Sequence, residues 1–186
     1  MPISPKIRLV LLDRDGVINH DSADCITAVD QWRPIDGSID AVRRLQDRFQ
    51  VAVCTNQAGI GRGLLTESVL DAIHAVLQTA LQRAGAKALN VYHCPHHPDL
   101  GCDCRKPEPG LLINAMHAAG VSARETCFVG DSARDLEAAR NAGCTPILVR
   151  TGNGWQVEIQ EAGKLEDVSV YDDLAACASA LLAQPA

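Results

Sequence analysis

The chain has 186 residues and a formal net charge of −6, with 47% of its residues hydrophobic and 22% charged. That length and composition suit one domain able to bury a core without disulfides, and the acidic balance excludes a nucleic-acid binder held by a broad basic face. The start, MPISPKIRLVLLDRDG, has an apolar run too short for a signal peptide or a spanning helix, so a cytoplasmic protein with neither a membrane nor a nucleic-acid partner is expected.

RLVLL at 8–12 is short, continuous and rich in branched side chains, which predicts a buried strand. Asp36 is placed to cap a helix carrying Ile39, Val42 and Leu45 on one face. VAVC at 51–54 predicts the next strand. Thr66 then caps a longer helix, in which Val69, Leu70, Ile73, Val76, Leu77, Ala80 and Leu81 recur at helical spacing up to a stop at Gly85. LNVYH at 89–93 predicts a third strand, and Pro109 opens a helix that ends at Gly120. CFVG at 127–130 reads as a strand, the segment from Ser132 to Asn141 as a helix stopped by Gly143, PILV at 146–149 as a strand, and 171–183 as a closing helix. The stretch 151–170 reads as a loop with one short strand. Alternating strands and helices require parallel strands joined by right-handed crossovers. The expected fold class is therefore α/β, a three-layer sandwich around a parallel, Rossmann-like sheet, with 1–186 as a single domain.

Polar residues interrupt this pattern at four places. Asp13-Arg14-Asp15-Gly16-Val17 follows the first strand, Thr55-Asn56 the second, and Gly130-Asp131-Ser132-Ala133-Arg134-Asp135 the fourth, while Arg105-Lys106-Pro107 precedes the helix at 109. Ligands of open parallel sheets bind beyond the carboxyl ends of the strands. Three of these motifs fall at such ends, and the lysine motif lies on a connection at the same edge. In this order, DxDGV, TN, KP and GDxxxD resemble the haloacid dehalogenase superfamily, and the resemblance covers most of the chain. It implies a magnesium-dependent phosphomonoesterase with Asp13 as nucleophile, Asp15 as general acid and base, Thr55 as a donor to the transferring phosphoryl group and Lys106 as the neighbouring positive charge. These residue types suit the chemistry, because a phosphomonoester dianion repels an attacking carboxylate until its charge is neutralised. Magnesium, a hard cation, would take the Asp13 carboxylate, the Asp15 main-chain carbonyl and Asp131. Asp135, one helical turn further on, would orient that site from behind. No insertion between Asp13 and Thr55, or between Thr55 and Lys106, is long enough to form a mobile cap domain.

Of the eight cysteines, Cys54 and Cys127 sit in apolar runs and read as small core residues, and Cys25, Cys144 and Cys177 are isolated. Cys94, Cys102 and Cys104 crowd into eleven residues together with His96 and His97. A C-x-H pair and a C-x-C pair offer three thiolates and an imidazole, a set that suits tetrahedral, structural zinc. Either histidine can supply the imidazole.

The strings DRDGVIN, NQAGIGRG, YHCPHHP, CDCRKPEPG and VGDSARDLEAARNAG closely resemble the D-glycero-D-manno-heptose 1,7-bisphosphate 7-phosphatases, from about Leu9 to Arg150. That resemblance favours His96 over His97 as the zinc ligand. It implies removal of the C7 phosphate of a phosphorylated sugar on the route to ADP-heptose and lipopolysaccharide. The substrate segments it carries over are Asp13 to Asp15, then Asp21, Ser22, Ala23 and Asp24, then Thr55, Asn56, Gln57 and Ala58, and finally Arg105 with Lys106. Arg105 is the leading group for the phosphate that stays, since a guanidinium grips phosphate with paired donors, and Arg62 adds to it. Two places depart from the family pattern. Asp21-Ser22-Ala23-Asp24 stands where a turn richer in Gly and aromatics is expected, and Ser132 stands where some relatives have a lysine. The histidinol-phosphate phosphatases share the fold, motifs and zinc loop and form the alternative. A sugar-phosphate phosphotransferase using Asp13 and a non-catalytic zinc-binding module are the competing classes. Nothing in the sequence points to an interface, so a monomer is expected.

Overall fold

The computed structural model describes residues 7–22 and 25–184. Six strands, β1 (Leu9–Leu12), β2 (Gln50–Asn56), β3 (Asn90–Cys94), β4 (Thr126–Gly130), β5 (Thr145–Val149) and β6 (Ser169–Tyr171), form one sheet in the order β3-β2-β1-β4-β5-β6. All five pairings are parallel. Central β1 pairs on both sides, Leu11 lying opposite Ala52 of β2 and Phe128 of β4. Both of its faces are covered, which is why its sequence is continuously apolar rather than alternating.

Six α-helices complete the layers: α1 (Ser38–Leu45), α2 (Glu67–Arg83), α3 (Gly110–Ala119), α4 (Ala133–Ala142), α5 (Gly154–Gln160) and α6 (Leu174–Leu182). Val10, Leu12, Val53 and Val129 point into a core with Val42, Leu45, Ile73, Leu77, Leu174 and Leu181 of α1, α2 and α6. Leu9, Leu11, Cys54 and Phe128 point the other way, onto Leu111, Leu112, Met116, Ala138 and Ala139 of α3 and α4. The three-layer α/β sandwich is thus the observed fold. Cys54 and Cys127 are fully buried, and no disulfide joins any cysteine among the described residues. No described helix is long and apolar enough to cross a membrane.

Three local expectations are corrected. Asp36 does not cap α1. The chain enters that helix through Gly37 at φ 79°, and the hydroxyl of Ser38 donates to the Ile18 carbonyl at 2.6 Å instead. Thr55 and Asn56 are the last residues of β2 rather than a loop beyond it, because Thr55 and Asn56 still pair with His93 and Cys94 of β3. The 151–170 stretch contains α5, whose Trp155 and Ile159 face outward, so no apolar periodicity announced it. An Arg150 guanidinium bound to Glu158 and Asp172 ties α5 to the sheet edge.

The strand order places the site. From β1 the chain builds outward through β2 and β3, then restarts on the far side of β1 with β4, so the loops after β1 and β4 diverge and open a crevice at that reversal. Asp13 and Asp131 stand on its two banks. The Asp13 amide still donates to the Val129 carbonyl at 2.9 Å, which registers one bank against the other.

Candidate active site

Lys106 is almost wholly buried, and its Nζ forms ion pairs with Asp13 Oδ1 at 2.8 Å and Asp135 Oδ1 at 2.7 Å. Asn56 holds the lysine backbone on both sides, accepting from the Lys106 amide at 3.0 Å and donating to its carbonyl at 3.1 Å. The end of β2 thereby aims a residue that arrives fifty positions later. Asp135 serves two groups at once. Its Oδ2 accepts from the Ser132 amide and hydroxyl at the start of α4, at 3.0 and 2.6 Å, leaving Oδ1 to Lys106. The helix cap is this Ser132–Asp135 box, which frees Asp131 from capping.

Asp131 accepts from the Asn153 amide at 2.8 Å and its side-chain amide at 3.2 Å. On its other flank Gly16 approaches at φ +81°, and a Cβ there would fall 2.2 Å from Asp131 Oδ2, so the close approach demands glycine. One oxygen each from Asp13, Asp131 and Asp135 lie within 4.8 Å of one another. These three buried carboxylates carry two more negative charges than Lys106 neutralises. Burial pushes the Asp13 carboxyl well above its ordinary range against the pull of Lys106, with Asp135 and Asp131 adding to the rise. Burial and then repulsion from Asp135 push Asp131 up to about 7. Burial alone would lower the Lys106 pKa, but Asp13 and Asp135 overcome it and hold the ammonium charged. A divalent cation with a preference for oxygen resolves the excess, and the donor set fits one.

Asp15 is held from inside the protein. The guanidinium of Arg14, fully buried, donates to both of its oxygens at 3.0 Å, Asn19 Nδ2 donates at 2.9 Å, and Gln57 Nε2 at 3.0 Å. Arg14 also donates to Gln57 Oε1 at 3.2 Å and reaches His74 Nε2 of α2 at 3.1 Å. Gln57 Nε2 further meets Thr55 Oγ1 at 3.0 Å. The side-chain amides of Asn56 and Gln57 are therefore engaged in holding Lys106 and Asp15. Asn19 and His74 were not singled out in the sequence, and Arg14 entered only within the Asp13 to Asp15 substrate segment, whereas its guanidinium is fully buried against Asp15 and does not line the cavity. His74 follows Ile73 on the helix face buried through Leu70 and Leu77, where a histidine reads as a core residue.

A cavity of about 340 Å³ opens over these groups, lined by Asp13, Asp15, Thr55, Lys106, Asp131 and Asp135, and further out by Asp21, Ser22, Asn56, Gln57, Ala58, Arg62 and Arg105. Ala23 and Asp24 lie outside the described residues. Ser132, Arg134 and Asn153 also line the cavity without having been anticipated as ligand contacts. The signal for Asn153 was a Gly-Asn-Gly turn at 152–154, just past β5, at the same sheet edge.

Below the cavity, the second cluster is assembled from Cys94 at the end of β3 and the loop that follows. Cys94 Sγ lies 3.5 Å from His96 Nδ1 and 3.7 Å from Cys102 Sγ, and Cys104 Sγ lies 3.2 Å from His96 Nδ1 and 3.6 Å from Cys102 Sγ. A tetrahedral ion with metal–sulfur bonds of about 2.3 Å would set its sulfurs about 3.8 Å apart, so the four side chains can hold a metal. Burial would raise the Cys102 thiol, but the amides of Arg105 and Cys104 bring it down to about 7. His97 turns away, its Nδ1 accepting from the Asp99 amide at 3.2 Å, so His96 is the histidine the fold brings in.

A family profile described as HAD-hydrolase-like matches residues 103–177. The D-glycero-beta-D-manno-heptose-1,7-bisphosphate 7-phosphatase of Pseudomonas aeruginosa is 50% identical over 177 residues, covering 94% of this chain and 97% of that one. The enzyme of the same name from Bordetella bronchiseptica is 43% identical, covering 95% and 98%. A crystal structure of the B. bronchiseptica D,D-heptose 1,7-bisphosphate phosphatase, complexed with magnesium and phosphate, superimposes with a TM-score of 0.91 at 42% identity, covering 96% of this chain and all of that one. On sequence and fold together, the chain belongs to the D-glycero-beta-D-manno-heptose-1,7-bisphosphate 7-phosphatase family.

Proposed function

We propose that this chain hydrolyses the C7 phosphate of D-glycero-beta-D-manno-heptose 1,7-bisphosphate and leaves the C1 phosphate in place. The observation that carries the reading is the buried Lys106 bridging Asp13 and Asp135 beside Asp131, at the crevice of the sheet. The names of the relatives and the magnesium and phosphate of the Bordetella structure support it.

Asp13 is the nucleophile. Its Oδ1 is pinned by Lys106 and by the Arg14 amide, which donates at 2.7 Å, so the carboxylate is presented in a fixed orientation. A carboxylate oxygen attacks phosphorus, the ester bond from phosphorus to the C7 oxygen breaks, and that oxygen leaves with the proton held on Asp15. Water then attacks the aspartyl phosphate and returns a proton to Asp15, and the bond between phosphorus and Asp13 breaks to release phosphate. Lys106 neutralises the charge that Asp13 and the dianion would otherwise set against each other. Asp13, the Asp15 main-chain carbonyl and Asp131 would hold magnesium, which supplies a Lewis acid for the phosphoryl oxygens. Thr55, at the tip of β2, donates to the transferring group. Asp21 and Ser22, on the rim, face the sugar, and Arg105 with Arg62 takes the phosphate that remains. Zinc on Cys94, His96, Cys102 and Cys104 is structural, since four protein ligands leave no position for water.

The test is a panel scored by kcat/KM with magnesium: the beta-heptose bisphosphate, the corresponding heptose 7-phosphate and histidinol phosphate. The bisphosphate is expected to be preferred. A clear preference for histidinol phosphate overturns the substrate assignment.

A further inference from the structure

We propose that Arg134 is a substrate-binding residue that selects for the phosphate which is not cleaved, acting from the wall shared by two adjoining cavities. Beside the catalytic cavity lies a second one of about 660 Å³, bordered by the metal loop from Pro98 to Asp103 and by Pro107 and Glu108. Arg62, Arg105, Lys106 and Arg134 line both. Lys106 is engaged by Asp13 and Asp135. Among the described residues, no ion pair engages Arg62, Arg105 or Arg134. The boundary is therefore a ridge of three guanidinium groups converging from three separate segments.

An exposed arginine is ordinarily a solvated charge. Three observations set Arg134 apart. It stands in the first turn of α4, where the helix dipole disfavours a cation. It shares the wall of both cavities with two like charges, Arg105 and Arg62, and among the described residues no carboxylate pairs with any of the three. Finally, Arg105 Nη1 is buried without a hydrogen-bond acceptor, which costs free energy unless a ligand supplies one. Each feature works against the stability of the empty protein, and each is relieved by a dianion on the ridge. A phosphate offers enough acceptors for several guanidinium groups at once. Asp103 and Glu108 border the second cavity, but neither pairs with the ridge. An anion bound there bridges the two cavities, as a bisphosphate does when its reacting end sits over Asp13.

This inference rests on the bisphosphate reading, so the experiment separates the two. R134A and R134K are compared with wild type on the heptose bisphosphate and on p-nitrophenyl phosphate, which has no second anion. R134A is expected to raise KM for the bisphosphate about ten- to a hundredfold, well beyond any loss it causes on p-nitrophenyl phosphate. R134K should recover part of the loss, because a lysine restores the charge but not the paired donors. Equal losses on both substrates, or none on either, overturn the assignment of Arg134 while leaving the bisphosphate reading intact. A wild-type enzyme that favours heptose 7-phosphate over the bisphosphate overturns both.

Discussion

Asp15 must exchange a proton with the substrate, and its orientation depends on Arg14, Asn19 and, through Arg14, His74, none of which lines the cavity. Arg14 can only donate, so His74 must accept at Nε2 and is neutral. Burial, then the charge of Arg14 and the neighbouring His93, lower the His74 pKa to about 4 from an ordinary 6.5, against a smaller pull from Asp15. A histidine with a depressed folded pKa favours the native state fully above 6.5, and that contribution is lost as pH falls towards about 4, because the unfolded chain takes up the proton first. H74Q keeps an acceptor for Arg14 but cannot titrate. Between pH 7 and pH 4, thermal melts should show wild type losing more stability than H74Q. H74L, which leaves Arg14 Nη1 buried without an acceptor, should cost about 1–3 kcal/mol at pH 7. Parallel wild-type and H74Q curves would remove His74 from this role. The sequence displayed Asp13 and Asp15 because charged residues directly after an apolar strand are conspicuous. It showed Arg14 only as part of that motif, with no sign that the side chain turns inward, and it hid His74, which stands on an apolar helix face.

Among the elements, the metal loop does most to turn local sequence into site geometry. It leaves β3 at Cys94, closes on Cys104 and runs directly into Arg105 and Lys106, so whatever fixes the four ligands also fixes the lysine. The Gly59–Gly63 loop leans on it: the Gly61 amide donates to the Pro95 carbonyl at 2.8 Å, and a Cβ at Gly61 would lie 2.2 Å from the His97 amide nitrogen. On the proposed zinc assignment one ion per chain is expected, and C102S should reduce it, lower the melting temperature and depress kcat, although Cys102 does not line the catalytic cavity. Metal analysis beside single-turnover rates checks this; full activity in a zinc-free protein would show that the loop holds Lys106 unaided. The ligand types were legible because they crowd together, whereas choosing His96 over His97 from the residues alone was not, since it depends on how the chain turns after Pro95. Helix α5 was illegible for a related reason: Trp155 and Ile159 face outward, Val157 alone of its branched or aromatic side chains packs inward, and Arg150, Glu158 and Asp172 help secure the helix.

For the molecule as a whole, alternating strands and helices were enough to predict a parallel sheet with a ligand edge, but strand order is a long-range property that only packing reveals. The order β3-β2-β1-β4-β5-β6 sets Asp13 beside Asp131, and the fold thereby concentrates negative charge in its own interior. Asp13, Asp131 and Asp135 meet a single ammonium, an arrangement that opposes folding until a cation arrives. D131N removes one of these charges and keeps an oxygen to accept from the Asn153 amide. In magnesium-free buffer at pH 8, D131N should melt no lower than wild type, and higher if relief of repulsion from Asp135 dominates. With magnesium at about a hundred times its Kd, wild type should gain about 2.7 kcal/mol, roughly 5–10 °C for a chain of this size, while D131N gains little and loses turnover. Calorimetric melts of both proteins with and without magnesium decide it. If D131N melts well below wild type in magnesium-free buffer, the hydrogen bonds from Asn153 to an ionised Asp131 outweigh the carboxylate repulsion, and the magnesium-free site is not the strained element of this fold.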